Sequence, residues 1–137
     1  MITKPMKLRI ALVPVLLSLV VAGCVDKTNP DNVDKRVAER WNYLAAHQAE
    51  KAYDYLSPGF RSTQTRETYA AAMNSRPVQW KGGKFKSKEC DAERCKVDVD
   101  VTYSMVMPGV GGKPIESTST QSETWLLVDG QWFFLPK

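Results

Sequence analysis

Side chains along residues 33–48 repeat every three or four positions. Val33, Val37, Trp41, Leu44, Ala45 and Gln48 form one stripe, and Asp34, Arg36, Glu39, Arg40 and Asn42 fall off it. Such spacing predicts an amphipathic helix with one dry face. Asn29 and Pro30 mark its start: Asn caps the free amides, and Pro sits in the first turn, where its missing N–H costs nothing. Ala49, Ala52, Tyr53 and Leu56 either continue the stripe or resume it after a break near "AHQ" at 46–48. "LSPGF" at 56–60 ends the helical run with Pro and Gly. A third helix is expected over 65–74, capped by Thr65, with Glu67 in its first turn and Tyr69 and Met73 on one side. Pro77 forbids its continuation.

After Val78 the period becomes two. In "CKVDVDVTYSM" at 95–105, Val97, Val99, Val101 and Tyr103 face one way, and Lys96, Asp98, Asp100 and Thr102 the other. Residues 78–89 read as the preceding strand. Gly82 and Gly83 suggest a bulge in it, because the bulky positions shift from even (Val78, Trp80) to odd (Phe85) across them. "PGVGGKP" at 108–114 is a loop, and 115–128 is a long strand that is polar first and apolar at its end. Asp129-Gly130 predicts a tight hairpin into a last strand at 131–135. Helices first and an antiparallel meander afterwards give an α+β chain.

The beginning of the chain obeys a different logic. Lys4, Lys7 and Arg9 precede an apolar segment at 10–21, and small residues follow. This is the plan of an export signal. The segment from 10 to 23 holds 14 residues and Pro14, whereas a spanning helix needs roughly 18 or more. Val21-Ala22-Gly23-Cys24 resembles the lipobox of bacterial lipoproteins. That resemblance implies that residues 1–23 are a signal peptide and that Cys24 is the mature first residue, carrying diacylglycerol and an amide-linked acyl chain such as palmitate. Several chains, each methylene worth about 0.8 kcal/mol, would hold the protein on a membrane permanently.

Removal of 23 residues leaves 114, enough for one small domain with a core. Three of the 19 basic residues leave and none of the 15 acidic ones, so the formal net charge falls from +4 to +1. The basic character therefore belongs to the leader. No Lys/Arg cluster with interleaved aromatics suggests a nucleic-acid partner. Residues 24–30 form a lipidated tether, whose five residues after Cys24 and before Pro30 span at most about 17 Å. By resemblance to enterobacterial lipoproteins, Val25 directly after the cysteine, with Asp26 one place later, favours the periplasmic face of the outer membrane over retention at the inner one.

Three cysteines would leave a stray thiol in an exported protein. Lipidation of Cys24 leaves Cys90 and Cys95, which flank a four-residue hairpin loop at a separation suited to a disulfide in an oxidising periplasm. A zinc site lacks a nearby His, and the spacing differs from a redox CxxC. No metal or cofactor is expected.

"YDYLSPGFR" at 53–61, the third helix, and strands closing with "ETWLLVDGQWFF" at 123–134 resemble the nuclear transport factor 2-like, or cystatin-like, superfamily across 31–137. The resemblance implies a cone: a curved antiparallel sheet whose concave face is covered by the N-terminal helices. That superfamily contains ketosteroid isomerases, polyketide cyclases, dehydratases, ligand binders and assembly domains, so fold alone does not choose among them. Acid/base candidates here are Tyr43, His47, Tyr53, Asp54, Asp100 and Glu123, and none matches a catalytic motif position. The single His47 sits at the helix break as a solvated or capping residue, and Asp98 and Asp100 lie on the wet face of their strand. A ligand pocket, if one is open, would be lined by Trp41, Tyr53, Trp80, Tyr103, Glu123 and Trp125. The expected function is a non-enzymatic binding or assembly module of the envelope, taking a protein, a small ligand or a second copy in a homodimer. The alternative is an isomerase-, cyclase- or dehydratase-like cone.

Overall fold

The computed structural model describes residues 31–109 and 111–137. The leader, Cys24, the tether and the Asn29–Pro30 helix start lie outside them. Helix α1 (Asp31–Ala45) is followed by the short α2 (Ala49–Ala52), a 3-10 turn (Tyr53–Tyr55), α3 (Pro58–Arg61) and α4 (Arg66–Asn74). Four strands complete the chain: β1 (Val78–Cys90), β2 (Arg94–Val106), β3 (Pro114–Val128) and β4 (Gln131–Leu135). They form one antiparallel sheet in the order β1-β2-β3-β4. The predicted α+β meander is the observed architecture.

Val33, Val37, Trp41 and Leu44 are buried as the stripe requires, but Arg40 is buried with them at 5 % exposure. Position 40 lies seven residues after Val33 and three after Val37, which on a 3.6-residue helix is the same face. Its placement off the stripe is thus corrected by helix geometry. The break after α1 is a Schellman-type stop. His47 takes a left-handed φ of 57°, while the Gln48 amide donates to the Tyr43 carbonyl and the His47 amide to that of Leu44. Ala49, Ala52, Tyr53 and Leu56 resume the buried stripe beyond it.

"LSPGF" ends the helical run at the extended Leu56, as expected, and also opens a new short helix. The Ser57 hydroxyl accepts from the Phe60 amide, and Pro58 opens α3, a first-turn position that needs no N–H. The same segment joins the layers, since the Ser57 amide donates to the Phe134 carbonyl at 2.8 Å. Thr65 caps α4 as predicted, its hydroxyl accepting from the Thr68 amide.

In the sheet, Val97, Val99 and Val101 are fully buried, whereas Tyr103 is half-buried. Their Asp neighbours face outward and accept from adjacent strands: Asp100 from Lys86 and Thr120, Asp98 from Ser87 and Ser122. The Thr120 hydroxyl is the main cause holding the Asp100 carboxyl below its usual range. β1 carries its bulge between Trp80 and Gly82 and a second, not anticipated, between Phe85 and Ser87. Asp129 and Gly130 take φ of 49° and 76°, the positive pair a two-residue type I′ hairpin demands. Cys90 and Cys95 face each other across β1 and β2 with Cα atoms 4.0 Å apart and are disulfide-bonded. Closing so short a loop stabilises by about 2 kcal/mol.

Candidate functional site

The register of β2 and β3 places Glu123 opposite Val97, so its side chain points to the covered face of the sheet. There it is buried at 5 % exposure. A carboxylate in such a place requires partners, and three donors supply them. Arg40 Nη1 and Trp41 Nε1 each donate to Oε1 at 2.9 Å, and Trp125 Nε1 donates to Oε2 at 2.9 Å. Consecutive α1 residues thus clamp one oxygen, while a residue two places along β3 holds the other. The Arg40 guanidinium also lies over the Phe134 ring, 3.9 Å from its centre.

Beside this cluster opens a cleft of about 770 Å³ between α1, α4, β1, β3 and the end of the chain. The volume lies within the roughly 300–1,000 Å³ of small-molecule sites. Its apolar lining includes Leu44, Phe60, Met73 and Phe134, and its polar lining Gln64 and Gln121. Of the predicted pocket residues, Trp41, Trp80 and Glu123 line the cleft.

Tyr53, Tyr103 and Trp125 do not. The Tyr53 hydroxyl is spent on the Arg61 and Gln64 carbonyls, and its ring packs on Tyr69. Tyr103 meets Trp80 edge-on at 6.4 Å. Trp125 is a fully buried core residue. Period-two spacing places side chains on the inner face but does not say which of them a helix covers.

The remaining acid/base candidates lie elsewhere. Tyr43 and Asp54 border a second cleft of about 410 Å³ with Arg36, Tyr55, Arg61 and Phe133. An Arg66 hydrogen bond holds the Asp54 carboxyl below the usual range. Burial first, and donation to Glu39 second, push the Tyr55 phenol up to about 12. His47 is exposed, and Asp100 is on the outer face.

Three residues bordering the main cleft carry buried donors with no protein partner: Arg40 Nε, the Tyr69 hydroxyl and Trp80 Nε1. Sequence reasoning missed Arg40 and Tyr69 as cleft residues. The i+7 spacing from Val33 could have revealed the first, and the α4 stripe of Tyr69 and Met73 the second. Among the described residues no group of three or more His, Cys, Asp or Glu is placed to hold a metal ion. Nor is any of their helices long and apolar enough to cross a membrane.

No protein-family model matches the chain, and no curated protein matches it. Solved structures do. An NTF2-like protein with a cystatin-like fold from Novosphingobium aromaticivorans superposes with a TM-score of 0.51 at 11% identity, over 76% of this chain and 75% of that one. The fold is cystatin-like. A SEC-C motif containing protein from Rhodopseudomonas palustris is similar with a TM-score of 0.59 at 14% identity, over 81% of this chain and 78% of that one. In the cystatin-like frame the helices α1 and α4 and the β3 inner face bound the cleft, and Glu123 sits on its floor with Arg40 and Trp41.

Proposed function

We propose that this chain is a lipid-anchored, periplasm-facing module, held through Cys24 on the outer membrane, that binds a small ligand in the main cleft without transforming it. The open cleft of about 770 Å³ carries this reading. Its one carboxylate, Glu123, has both oxygens occupied by guanidinium and indole donors. A carboxylate so engaged is a strut between α1 and β3. The cystatin-like fold supplies the cone in which such a cleft forms.

The anchor is supported by Val21-Ala22-Gly23-Cys24 and by cysteine parity. The Cys90–Cys95 bond uses two of the three cysteines, which leaves Cys24 for lipid. Cys24→Ser is expected to abolish palmitate labelling and processing between Gly23 and Cys24; a mutant that still takes label refutes the anchor. For the cleft, neutral N-phenyl-1-naphthylamine should brighten on binding the wild-type domain. Ala72→Trp, which places an indole in the cleft from the exposed side of α4, should remove at least nine-tenths of that signal. Undiminished dye binding in the variant, or none in the wild type, overturns the binding reading.

A further inference from the structure

The orphan donors say what kind of head group the cleft takes. Arg40 and Tyr69 are only 5 % and 6 % exposed, and Arg40 Nε, the Tyr69 hydroxyl and Trp80 Nε1 each lack a protein acceptor. Leaving a buried donor unpaired costs about 1–3 kcal/mol, so three around one cleft favour a guest that brings acceptor atoms. Arg40 is especially informative. Glu123 occupies its Nη1 alone, which leaves the Nε edge of a planar fork that suits a second oxyanion.

Charge points the same way. Arg40 is matched by Glu123, and Arg76 adds a further cation to the lining. A cationic guest would meet Arg76 and find Glu123 already satisfied. The apolar lining of Leu44, Phe60 and Met73 offers nothing to a polar body. A free sugar or a bare phosphate would leave that lining uncovered.

We infer that the cleft recognises a small organic carboxylate with an apolar body, its head group received by Arg40 Nε, the Tyr69 hydroxyl and Trp80 Nε1 and its body lying on Leu44, Phe60 and Met73. This rests on the binding reading above and adds the ligand's chemical class.

Matched probes test it: octanoate, octanol and octylamine share one chain and differ in the head. Trp41 and Trp80 border the cleft, so intrinsic fluorescence reports occupancy. Octanoate should bind at least tenfold tighter than octanol, and octylamine weakest. Tyr69→Phe removes one orphan hydroxyl and nothing else, and should weaken octanoate about tenfold and octanol, a neutral acceptor, by less. Arg76→Gln, on the exposed rim, should weaken octanoate and flatten its salt dependence. Equal affinities for octanoate and octanol, tighter octylamine, or an indifferent Tyr69→Phe would overturn the carboxylate class. The same holds if none of the three binds while the neutral naphthylamine dye still does. Loss of dye binding as well would take the cleft reading down with it.

Discussion

Glu123→Leu should cost the fold about 3–5 kcal/mol, enough to consume much of a small domain's stability of roughly 5–15 kcal/mol. Leu is similar in bulk, so the loss is electrostatic in origin. The substitution strands the Arg40 guanidinium, whose side chain is 6 % exposed, and strips the acceptor from two indole N–H groups, those of Trp41 and Trp125. A buried charge without a partner is costly, whereas removing both partners is often nearly neutral. Arg40→Met/Glu123→Leu removes the stranded charge but leaves the Trp41 and Trp125 indole N–H groups without an acceptor, so it should regain part of what Glu123→Leu loses, even though it carries one more mutation. Urea unfolding of the single and double variants gives the coupling directly. If Glu123→Leu costs under about 1 kcal/mol, or the double variant is the sum of its parts, the cluster is not the strut described here. Glu123→Gln is the milder case, because its carbonyl keeps one acceptor but its amide turns donors toward donors.

Why this cluster was only half visible in the sequence is a matter of distance. Glu123, beside the Ser/Thr run of its strand, stood out as an acid that could serve a polar pocket. Arg40 is 83 residues away along the chain. On a helix read alone, an arginine belongs to the wet side. Only the partner's arrival from β3 makes the dry side tolerable. The elements themselves were legible because their causes are local. Thr65 caps its own helix, Asp129-Gly130 supplies its own positive φ, and Cys90 and Cys95 need only one hairpin to meet. The cleft is not local. Tyr69 and Trp80 come from α4 and β1, and whether they border a cleft or fill one depends on how far α4 stands from β3, which no periodicity encodes. "LSPGF" shows the same limit in miniature. Its Pro and Gly read as a stop, yet Ser57 in front of Pro58 adds a start to it.

Gly82 and Gly83 illustrate how two adjacent glycines with one sequence-level explanation separate once packing is known. An ideal Cβ at Gly82 would meet nothing within 4 Å. At Gly83 it would lie 2.7 Å from Trp41 Cδ2 and 2.8 Å from Trp41 Cβ, inside any tolerable contact. Gly83 is therefore the seat on which the Trp41 ring rests, and the ring cannot yield freely. Its other side packs edge-on against Trp80 at 5.5 Å, and its N–H is tied to Glu123. Gly83→Ala should thus destabilise by about 2–3 kcal/mol, toward the upper end for overpacking. The neighbouring Gly82→Ala should stay within about 0.5 kcal/mol of wild type. Because the displaced ring lines the cleft, Gly83→Ala should also shift the tryptophan emission, and Gly82→Ala should not. Gly83→Ala combined with Trp41→Ala should lose less than the two single changes together, since alanine at 41 removes the ring atoms that the new methyl would meet and leaves only Cβ. Equal effects of the two alanines would mean that Trp41 is free to move, and the clamp it forms on Glu123 would then be too loose to hold the cleft floor in place.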